Sequence, residues 1–551
     1  MPTILPVRHQ RALPLDQVIL SDPPGTEAIE MDVVIVGAGP AGLSCAIELA
    51  RLVKQDQNAG GKTPDLNIAV LEKAGSLGEH SLSGAVVNPR AFGELFPDMD
   101  IRDFPFRQPV ESEAVYLLGA RRAQRIPTPP TMHNRGYYTA SICEIVRWLG
   151  DRAEALGINL FAGFPVEALL VEGNTVRGVR TTPAGLGRDR QPTATFAEPT
   201  DLAARITVLA EGTRGLLTQA YCEWQRIGSS NPQLYALGVK EVWQTRRPLD
   251  RVVHTLGWPL PADAFGGSFM YPLGPEQLAI GLVVGLDYQS ASLDVHELLQ
   301  LMKLHPLFRQ HLEGGRLLEW GAKTIPEGGY FSLPERRHGP GILLAGDAAG
   351  FVDVPSLKGI HYAMQSGIYA ARAAFAALRA ADASAASLSA YDRMVDDSYI
   401  IADLYRTRNM RLAFKAGFFR GGASAGLMTL TRGRFPGGKL ATESDAATPR
   451  VSSTERPFTP DNVLTFSKLD AVFKSGNATR DTIPTHLLVG QDIGPEVADF
   501  YSHVCPAGVY ERVGNELRVN APNCVDCKAT DVLGPRWTPR EGGSGPKYRL
   551  M

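Results

Sequence analysis

The chain has 551 residues, of which 44% are hydrophobic and 21% are charged, and its formal net charge is −2. This composition is that of a soluble globular protein with enough residues for several domains, and it excludes wholesale disorder. The near balance of charge argues against a protein that binds nucleic acid through a global positive field, so no nucleic-acid partner is expected.

The N-terminal region shows no targeting pattern. Residues 1–25 contain no long apolar run, so a secretory signal is not expected. No segment reaches the ~18–20 apolar residues of a membrane-spanning helix. Six cysteines in this length exclude a secreted disulfide scaffold. The sequence therefore predicts a protein that is cytosolic or peripheral to a membrane.

The first motif has the pattern of a dinucleotide-binding turn. An apolar strand over 33–36 is followed by Gly37, Gly39 and Gly42, and then by a helix-like segment over 43–53. In this spacing the first glycine permits the tight turn, the second lets a pyrophosphate approach the backbone, and the third lets helix and strand pack closely. The strand–turn–helix context favours a dinucleotide site over a glycine turn without a ligand.

The second predicted strand ends in an acid. Residues 68–73 read IAVLEK, and Glu72 is suited to bind ribose hydroxyls. Glu72 lies further from the glycines than the usual ~20 residues, because residues 54–65 form an insertion before the strand.

Two later segments favour FAD over NAD as the dinucleotide. Residues 341–350, GILLAGDAAG, resemble the second signature of the glutathione-reductase class of flavoproteins. In that class an aspartate, here Asp347 after Gly346, binds a ribityl hydroxyl of FAD. Residues 206–215 resemble a third element of the same class. No second glycine unit for a nicotinamide follows, so electrons would come from a protein donor, a small substrate or a transient nicotinamide.

A basic and aromatic segment follows over 411–440. It contains Arg411 and further basic residues, interleaved with phenylalanines and leucines, and no acid. This pattern suits an anionic membrane surface, and a solvated basic loop is the alternative. The glycines and serine of 421–426 weaken any helix there. Residues 436–460 have the composition of a linker.

Three cysteines cluster near residue 551. Cys524 and Cys527 are separated by two residues, and further upstream Cys505 is followed by Pro506. This arrangement suits an iron–sulfur cluster. Zinc, with only three thiols available, and a degenerate site without metal remain alternatives. The other cysteines, Cys45, Cys143 and Cys222, are expected to be packed thiols.

Taken together, the chain resembles the electron transfer flavoprotein–ubiquinone oxidoreductase family. The resemblance runs from about residue 30 to the last residues, and no single stretch carries it. The segments are GAGPAGLSCAIELA (37–50), LSGAVVNPRAF (82–92), LGVKEVW (237–243), HTLGWPL (254–260), GGSFMYPLG (266–274), GLVVGLDYQ (281–289), HPLF (305–308), LEGG (312–315), PSLKGIHYAMQSG (355–367), CPAGVYE (505–511) and NCVDCK (523–528).

The resemblance implies an α/β fold with a doubly wound FAD domain, interrupted by an α+β quinone domain and followed by a small ferredoxin-like domain. The implied parts are an N-terminal extension (1–30), the FAD domain (31–225 and 331–410) with a membrane-facing hairpin near 110–138, the quinone domain (226–330), a basic membrane-facing segment and linker (411–460) and the iron–sulfur domain (461–551). The family takes electrons from reduced electron transfer flavoprotein and reduces ubiquinone at a membrane surface. The implied location is peripheral, on the cytoplasmic face of a bacterial inner membrane or on the mitochondrial inner membrane.

The family's site residues carry over by motif. Gly37, Gly39, Gly42 and Glu72 would bind the adenosine side of FAD, Ser83 and Gly84 would lie along it, and Gly346 and Asp347 belong to the second signature. Gly266 and Gly267 would hold the quinone head through backbone groups. Cys505, Cys524 and Cys527 would be cluster ligands, while Lys358 and His361 are candidate proton donors to the quinone.

Three features depart from the family pattern. Thr530 stands where the fourth cysteine of a [4Fe–4S] site is expected, which leaves a [4Fe–4S] or a [3Fe–4S] cluster open. The second signature reads Gly-Asp-Ala where the family commonly has Gly-Cys-Ser. The apolar hairpin is shortened to residues 125–138.

Two rival functions stay open at this point. A flavin-dependent reductase of a lipid-like substrate, similar to geranylgeranyl reductases, shares the FAD architecture. The C-terminal cysteines argue against this reductase. A flavin-dependent hydroxylase is also disfavoured, because it would have Asp-Gly at 211–212, where this sequence has Glu211-Gly212. The other rival is a flavin-bearing interaction protein that has lost electron transfer, which only Thr530 supports.

Overall fold

The structure, a computed structural model, describes residues 3–435, 437–452, 458–491 and 493–551. Two large β-sheets, the helices packed on them and a small C-terminal unit make up the architecture. The predicted α/β class with a doubly wound domain and an inserted second sheet is confirmed.

The first sheet is the core of the doubly wound unit. Its central strand, Asp201–Leu209, pairs in parallel with Ile29–Val36 and with Ile342–Leu344. The carboxyl ends of these strands therefore meet at one edge, where α/β sheets bind ligands. Other strands of this sheet are Ile19–Leu20, Ile68–Glu72, Asn159–Ala162, Val166–Glu172, Thr175–Thr181 and His338–Gly339.

Two long helices pack against each other beside this sheet. Pro40–Asn58 begins directly after Gly39, and Ile360–Arg379 lies along it. A Cβ atom on Gly367 would lie 2.1 Å from the carbonyl oxygen of Ala41. Glycine at 367 is therefore what lets the two helices approach.

The remaining helices are shorter. Those that precede Ile360–Arg379 in the chain are Leu15–Val18, Arg90–Leu95, Ile142–Ala155, Leu216–Trp224, Val295–Lys303 and Pro306–Leu312. Those that follow it are Ala385–Leu388, Ala390–Asp396, Tyr399–Arg406, Met410–Ala413, Phe418–Leu430, Lys468–Lys474, Pro495–Val504 and Ala529–Leu533.

The second sheet is mainly antiparallel. In spatial order its strands are Arg316–Pro326, Tyr235–Gln244, Gln277–Gly285, Gly266–Pro272, Val252–Gly257, Glu113–Leu118 and Ala123–Ile126. The last two come from the stretch 110–138, which the sequence places within the FAD domain. Parallel pairing of Glu113–Leu118 with Val252–Gly257 joins that stretch to the second sheet instead.

Short ladders complete the fold. A three-stranded sheet contains Val86–Val87, Tyr138–Ala140 and Phe106–Pro109. Two further sheets have two strands each: Thr3–Ile4 pairs with Arg450–Val451, and Ala184–Leu186 pairs with Pro192–Ala197. The C-terminal unit has the pairs Leu487–Leu488 with Arg536–Trp537 and Tyr510–Val513 with Glu516–Val519.

Residues 548–551 lie in a core between the second sheet and the helix Ile142–Ala155. Tyr548 and Met551 are buried in a cluster with Cys143 of that helix and Tyr271 of the second sheet. The carboxylate of Glu319 accepts hydrogen bonds from the backbone N–H groups of residues 549 and 550. The main-chain oxygen of Met551 accepts from the Ser141 hydroxyl at 2.9 Å.

The basic segment departs from its expectation in two ways. A helix, Phe418–Leu430, covers the glycine-rich residues 421–426. Arg411, expected at a membrane surface, is only 6% exposed and forms ion pairs with Asp287 and Glu327 at 2.7 and 2.9 Å. The side chains of Phe418 and Phe419, together with Pro436 and residues 453–457, lie outside the described residues. Within the part that is described, no helix combines the length and apolarity needed to cross a bilayer.

Candidate cofactor sites

A large cavity, here called the sheet-edge cavity, lies where the first sheet's parallel strands end and the second sheet faces them. It has about 1700 Å³ of empty space, part of it open to solvent. Its walls are formed by residues of all three sequence signatures and by residues of the second sheet. The lining residues include Gly37, Gly39, Glu72, Ser83, Gly84, Glu211, Gly212, Lys240, Phe269, Tyr271, Lys323, Gly346, Asp347 and Lys358.

The glycines of the first motif have different surroundings. A Cβ atom on Gly37 would lie 2.4 Å from the Ala210 carbonyl oxygen, and one on Gly42 would lie 2.0 Å from the Gly37 oxygen. Both positions are closed by backbone. Gly39 has no atom within 4 Å of such a Cβ and lines the cavity. The space at Gly39 suits a phosphate close to the main chain at the helix N-terminus.

Glu72 is held at the edge of the cavity by backbone donors. Its carboxylate accepts hydrogen bonds from the N–H of Ala38 at 3.0 Å and of Ala74 at 2.9 Å. The strand end and the glycine turn thereby fix the carboxylate in place. Its remaining lone pairs can accept from ribose hydroxyls.

Asp347 brings a carboxyl group to the opposite part of the cavity. It lies in the short helical turn Gly346–Ala349, whose first N–H donates to the Ser366 hydroxyl at 2.9 Å. Burial raises the pKa of Asp347 to about 6, although the positive charge of Lys323 acts in the other direction. A hydroxyl-rich ligand would supply the hydrogen bonds that its charged form needs.

Two lysines of the second sheet also line the cavity, and sequence reasoning missed both. Lys240 Nζ donates to the Ser83 carbonyl oxygen at 2.7 Å, and Lys323 Nζ donates to that of Asp526 at 3.3 Å. Burial lowers the pKa of each to about 8. The available signal was a lysine inside an otherwise apolar strand, where an unpaired charge is costly.

The two proton-donor candidates are placed differently. Lys358 lines the sheet-edge cavity, donates to the Ser356 carbonyl oxygen at 2.7 Å, and has a pKa lowered to about 8 by burial. His361 is not among the lining residues. Its ring packs against Tyr362 and Tyr399, and burial lowers its pKa to about 3.

Gly266 and Gly267 open a strand of the second sheet without lining the cavity. A Cβ atom on Gly266 would lie 2.1 Å from the Val283 oxygen, and one on Gly267 would lie 2.6 Å from the Thr255 oxygen. Close strand packing therefore requires glycine at both positions. Their quinone-binding role stays a prediction.

A second, smaller site, here called the cysteine pocket, lies in the C-terminal unit. It has about 340 Å³ of empty space, part of it open to solvent. Its lining residues are Cys505, Cys524, Cys527, Leu487, Ala507, Val509, Tyr510, Val525, Lys528, Thr530 and Trp537. Burial raises the pKa of all three thiols, that of Cys524 to about 12. Bound iron would compensate the thiolate charge that burial disfavours, so the pocket fits an iron–sulfur cluster.

The cysteine pocket and the sheet-edge cavity share a wall. Cys527 accepts a hydrogen bond through its carbonyl oxygen from the backbone N–H of Thr324 at 2.9 Å, and Thr324 lines the cavity. Next to it, the buried Asp526 carboxylate forms ion pairs with Lys73 at 2.6 Å and Arg540 at 2.9 Å. Lys73 directly follows Glu72 and also lines the cavity.

The fold and these two sites define an iron–sulfur flavoprotein. The sheet-edge cavity has the turn, the acid and the buried carboxyl that FAD requires, and the cysteine pocket has three buried thiols.

Sequence comparison then identifies the family. Residues 235–325 match the model described as "ETF-QO, ubiquinone-binding", and residues 462–549 match "Electron transfer flavoprotein-ubiquinone oxidoreductase, 4Fe-4S". Residues 25–102 match the Thi4 family.

Curated relatives extend over nearly the whole chain. The mitochondrial electron transfer flavoprotein-ubiquinone oxidoreductase of Oryza sativa is 38% identical, across 96% of this chain and 94% of the rice protein. The probable enzyme of that name from Acinetobacter baylyi is 36% identical, across 95% and 99% respectively. The chain belongs to the electron transfer flavoprotein–ubiquinone oxidoreductase family, which confirms the resemblance inferred from the sequence.

A solved structure supports the fold. The geranylgeranyl bacteriochlorophyll reductase-like protein of Thermoplasma acidophilum aligns with a TM-score of 0.56 and 18% identity, across 74% of this chain and 92% of that protein. At this identity the likeness concerns the fold alone, and it gives the rival reductase function no further support.

Proposed function

We propose that the chain transfers electrons from reduced electron transfer flavoprotein to ubiquinone, with FAD in the sheet-edge cavity and an iron–sulfur cluster in the cysteine pocket. Membership of the family and the match to its ubiquinone-binding and 4Fe-4S models support this proposal.

The observation that carries the proposal is that the sheet-edge cavity and the cysteine pocket lie directly next to each other. The hydrogen bond from Thr324 to Cys527 places a residue that contacts one site directly against a ligand of the other. A second contact between the two sites is the hydrogen bond from Lys323 Nζ to the Asp526 carbonyl oxygen at 3.3 Å. Two redox sites separated by directly bonded backbone need no domain movement to exchange an electron.

The chain's own residues would hold FAD by its ends. Gly39 and the N-terminus of Pro40–Asn58 would bind the pyrophosphate, Glu72 the ribose, and Asp347 a ribityl hydroxyl. Bound FAD supplies a centre that stores one or two electrons, which a protein needs if it receives single electrons and forms a two-electron product.

Ubiquinone would be held on the second sheet, near Gly266 and Gly267. Both lie within the segment matched to the ubiquinone-binding model, and this match supports the assignment. Lys358 is the more suitable proton donor of the two candidates, because burial brings its pKa to about 8 and that of His361 to about 3. Lys358 lines the sheet-edge cavity together with Phe269 and Tyr271 of the strand that Gly266 and Gly267 open.

The test is turnover of the purified holoenzyme with reduced electron transfer flavoprotein and a water-soluble ubiquinone analogue. We expect quinone reduction that disappears when FAD is removed. NADPH-dependent reduction of a geranylgeranyl lipid, without quinone turnover, would instead support the rival reductase. A flavin that neither donor reduces would support the inert interaction protein.

We also infer a peripheral membrane location, with the helix Phe418–Leu430 and its flanks against an anionic surface. Leu430 is 83% exposed and Phe435 is 57% exposed, and Arg432 and Arg434 lie between them. Exposed apolar side chains interleaved with cations suit the headgroup region of a bilayer. This would place the protein at the inner membrane of a bacterium or a mitochondrion.

Co-sedimentation with vesicles containing anionic lipid tests the membrane assignment. Leu430→Ser should weaken vesicle binding severalfold. Phe473→Ser is the matched control, because Phe473 is also 83% exposed but lies on the C-terminal unit. Equal binding by both variants and the unaltered protein would contradict the assignment.

A further inference from the structure

The cysteine pocket contains three thiols and no described fourth residue of the kind that normally ligates iron. Its lining includes no aspartate, glutamate or histidine. Thr530, at the position expected for the fourth cysteine, is 9% exposed, and its hydroxyl lies 3.5 Å from that of Tyr510. The fourth corner of the pocket is therefore closed by two hydroxyl groups that face each other.

Backbone N–H groups lie near the three thiols, and this arrangement suits a bound iron–sulfur cluster. The backbone N–H of Asp526 donates to Cys524 Sγ at 3.4 Å. Backbone N–H groups of residues 507, 509 and 510 oppose the rise that burial causes in the pKa of Cys505, and that of Ala529 does the same for Cys527. Such N–H···S contacts stabilise and tune iron–sulfur centres.

Neither nearby acid is free to ligate a fourth iron. Both oxygens of Asp526 are engaged, by Lys73 on one side and by Arg540 and Trp537 on the other. Asp526 is 1% exposed, so moving the carboxylate to iron would leave Lys73 and the buried Arg540 without their partner.

Asp531 is held equally firmly. Its carboxylate accepts from Arg214 at 2.5 Å and from Arg536 at 3.2 Å, and also from the backbone N–H of Trp537 at 2.9 Å. The side chain is buried by these partners and does not line the pocket.

His486 is a further protein candidate. A ring nitrogen of His486, the Cys524 sulfur and an Asp526 oxygen all lie within 4.8 Å of one another. The group lies beside the pocket, because of the three only Cys524 lines it. Occupation of this position by a metal would compete with the ion pairs of Asp526.

We propose that the pocket holds a [3Fe–4S] cluster ligated by Cys505, Cys524 and Cys527, with the Thr530–Tyr510 hydroxyl pair at the corner where a fourth iron would be. A neutral hydroxyl is a poor ligand for iron compared with a thiolate. The corner iron of a cube is therefore the one this pocket cannot retain. The inference rests on the proposed function only for the presence of a cluster.

The test compares iron, acid-labile sulfide and electron paramagnetic resonance in anaerobically purified protein. We expect three irons per four sulfides, with a paramagnetic signal in the oxidised protein that is lost on reduction. Thr530→Cys should bind a fourth iron and give a signal only after reduction. Thr530→Val, which removes the hydroxyl alone, should keep the three-iron signal.

Cys222→Ser is the control for thiol loss, because Cys222 lies outside the pocket and should leave the iron content unchanged. Four irons in the unaltered protein, with a signal only after reduction, would overturn the proposal. If His486→Ala then lost that signal, His486 would be the fourth ligand. Protein that contains FAD but no iron would overturn it as well. Flavin reduction by electron transfer flavoprotein, measured on the same samples, separates these outcomes from failure of the proposed function.

Discussion

Asp347 is a carboxyl group whose charge depends on what fills the sheet-edge cavity. In the free protein its pKa is raised to about 6 by burial, so the neutral acid is present at mildly acidic pH. A ribityl hydroxyl that donates to the carboxylate favours the charged form. Proton and FAD therefore compete for the same oxygen atoms.

We expect FAD affinity to be independent of pH well above 6. Affinity should fall as the pH decreases through 6, by up to about tenfold per pH unit, because protonation must be reversed before FAD binds. Fluorescence titration of apoprotein with FAD measures this. Asp347→Asn should bind FAD more weakly and should lose this part of the pH dependence. An unchanged pH profile in that variant would exclude Asp347 as the titrating group.

Asp526 is one of the residues that join the C-terminal unit to the first sheet, because it pairs with Lys73 next to the strand Ile68–Glu72. Asp526→Asn removes the charge opposite Lys73 and Arg540 while keeping the shape of the side chain. Breaking a buried ion pair on one side costs about 3–5 kcal/mol, so urea denaturation should begin earlier and iron content should fall. Glu313→Gln is the control, because its ion pair with Arg309 is exposed and should contribute little. Equal stability of the two variants would contradict this role.

The sequence could indicate the residues of the first motif because their contacts are local. Gly37 and Gly42 meet within one turn, and the strand and helix on either side have strong periodicity. Asp526 and Lys73 are 453 positions apart, so their pairing depends on how the units dock. Lys240 and Lys323 were missed for the same reason, since their burial is a tertiary property.

At the scale of elements, the contact between Pro40–Asn58 and Ile360–Arg379 positions the dinucleotide turn. At Gly367 a Cβ atom would lie 2.1 Å from the Ala41 carbonyl oxygen in the first turn of the other helix. A side chain there would displace the helix whose N-terminus lies at the cavity.

Gly367→Ala should therefore destabilise the protein by about 1–3 kcal/mol and lower its FAD content. Gly93→Ala is the matched control, because Gly93 is also helical but a Cβ there meets no atom within 4 Å. That substitution should be neutral or stabilise the helix by up to ~1 kcal/mol. The ratio of flavin to protein absorbance and a thermal melt test both variants. Full flavin content in Gly367→Ala would show that the two helices can separate without affecting the site.

Element prediction failed where packing outweighs propensity. The glycines of 421–426 argue against a helix, yet Phe418–Leu430 is helical. Met428 is buried with Met410 and Ala413, and a Cβ atom on Gly421 would lie 2.6 Å from Phe414 Cα. Here glycine permits a close helix contact, and that contact offsets its low helix propensity.

At the scale of the whole molecule, residues 548–551 connect the second sheet to the helix Ile142–Ala155, which packs beside the first sheet. Removing them takes Tyr548 and Met551 out of a buried cluster at about 1.5–3 kcal/mol for each large apolar side chain. It also leaves the Glu319 carboxylate without its backbone donors. We expect the shortened chain to melt at a lower temperature and to bind FAD poorly. Met551→Leu, a volume-conserving change, should behave nearly like the unaltered chain. A shortened chain with normal flavin content would contradict this role.

The burial of residues 548–551 also bears on synthesis. The segment that completes this cluster is synthesised after every strand of both large sheets. Until it is made, Cys143, Phe269 and Tyr271 lack their buried partners Tyr548 and Met551. A nascent chain arrested before residue 548 should accordingly be more protease-sensitive than the released protein.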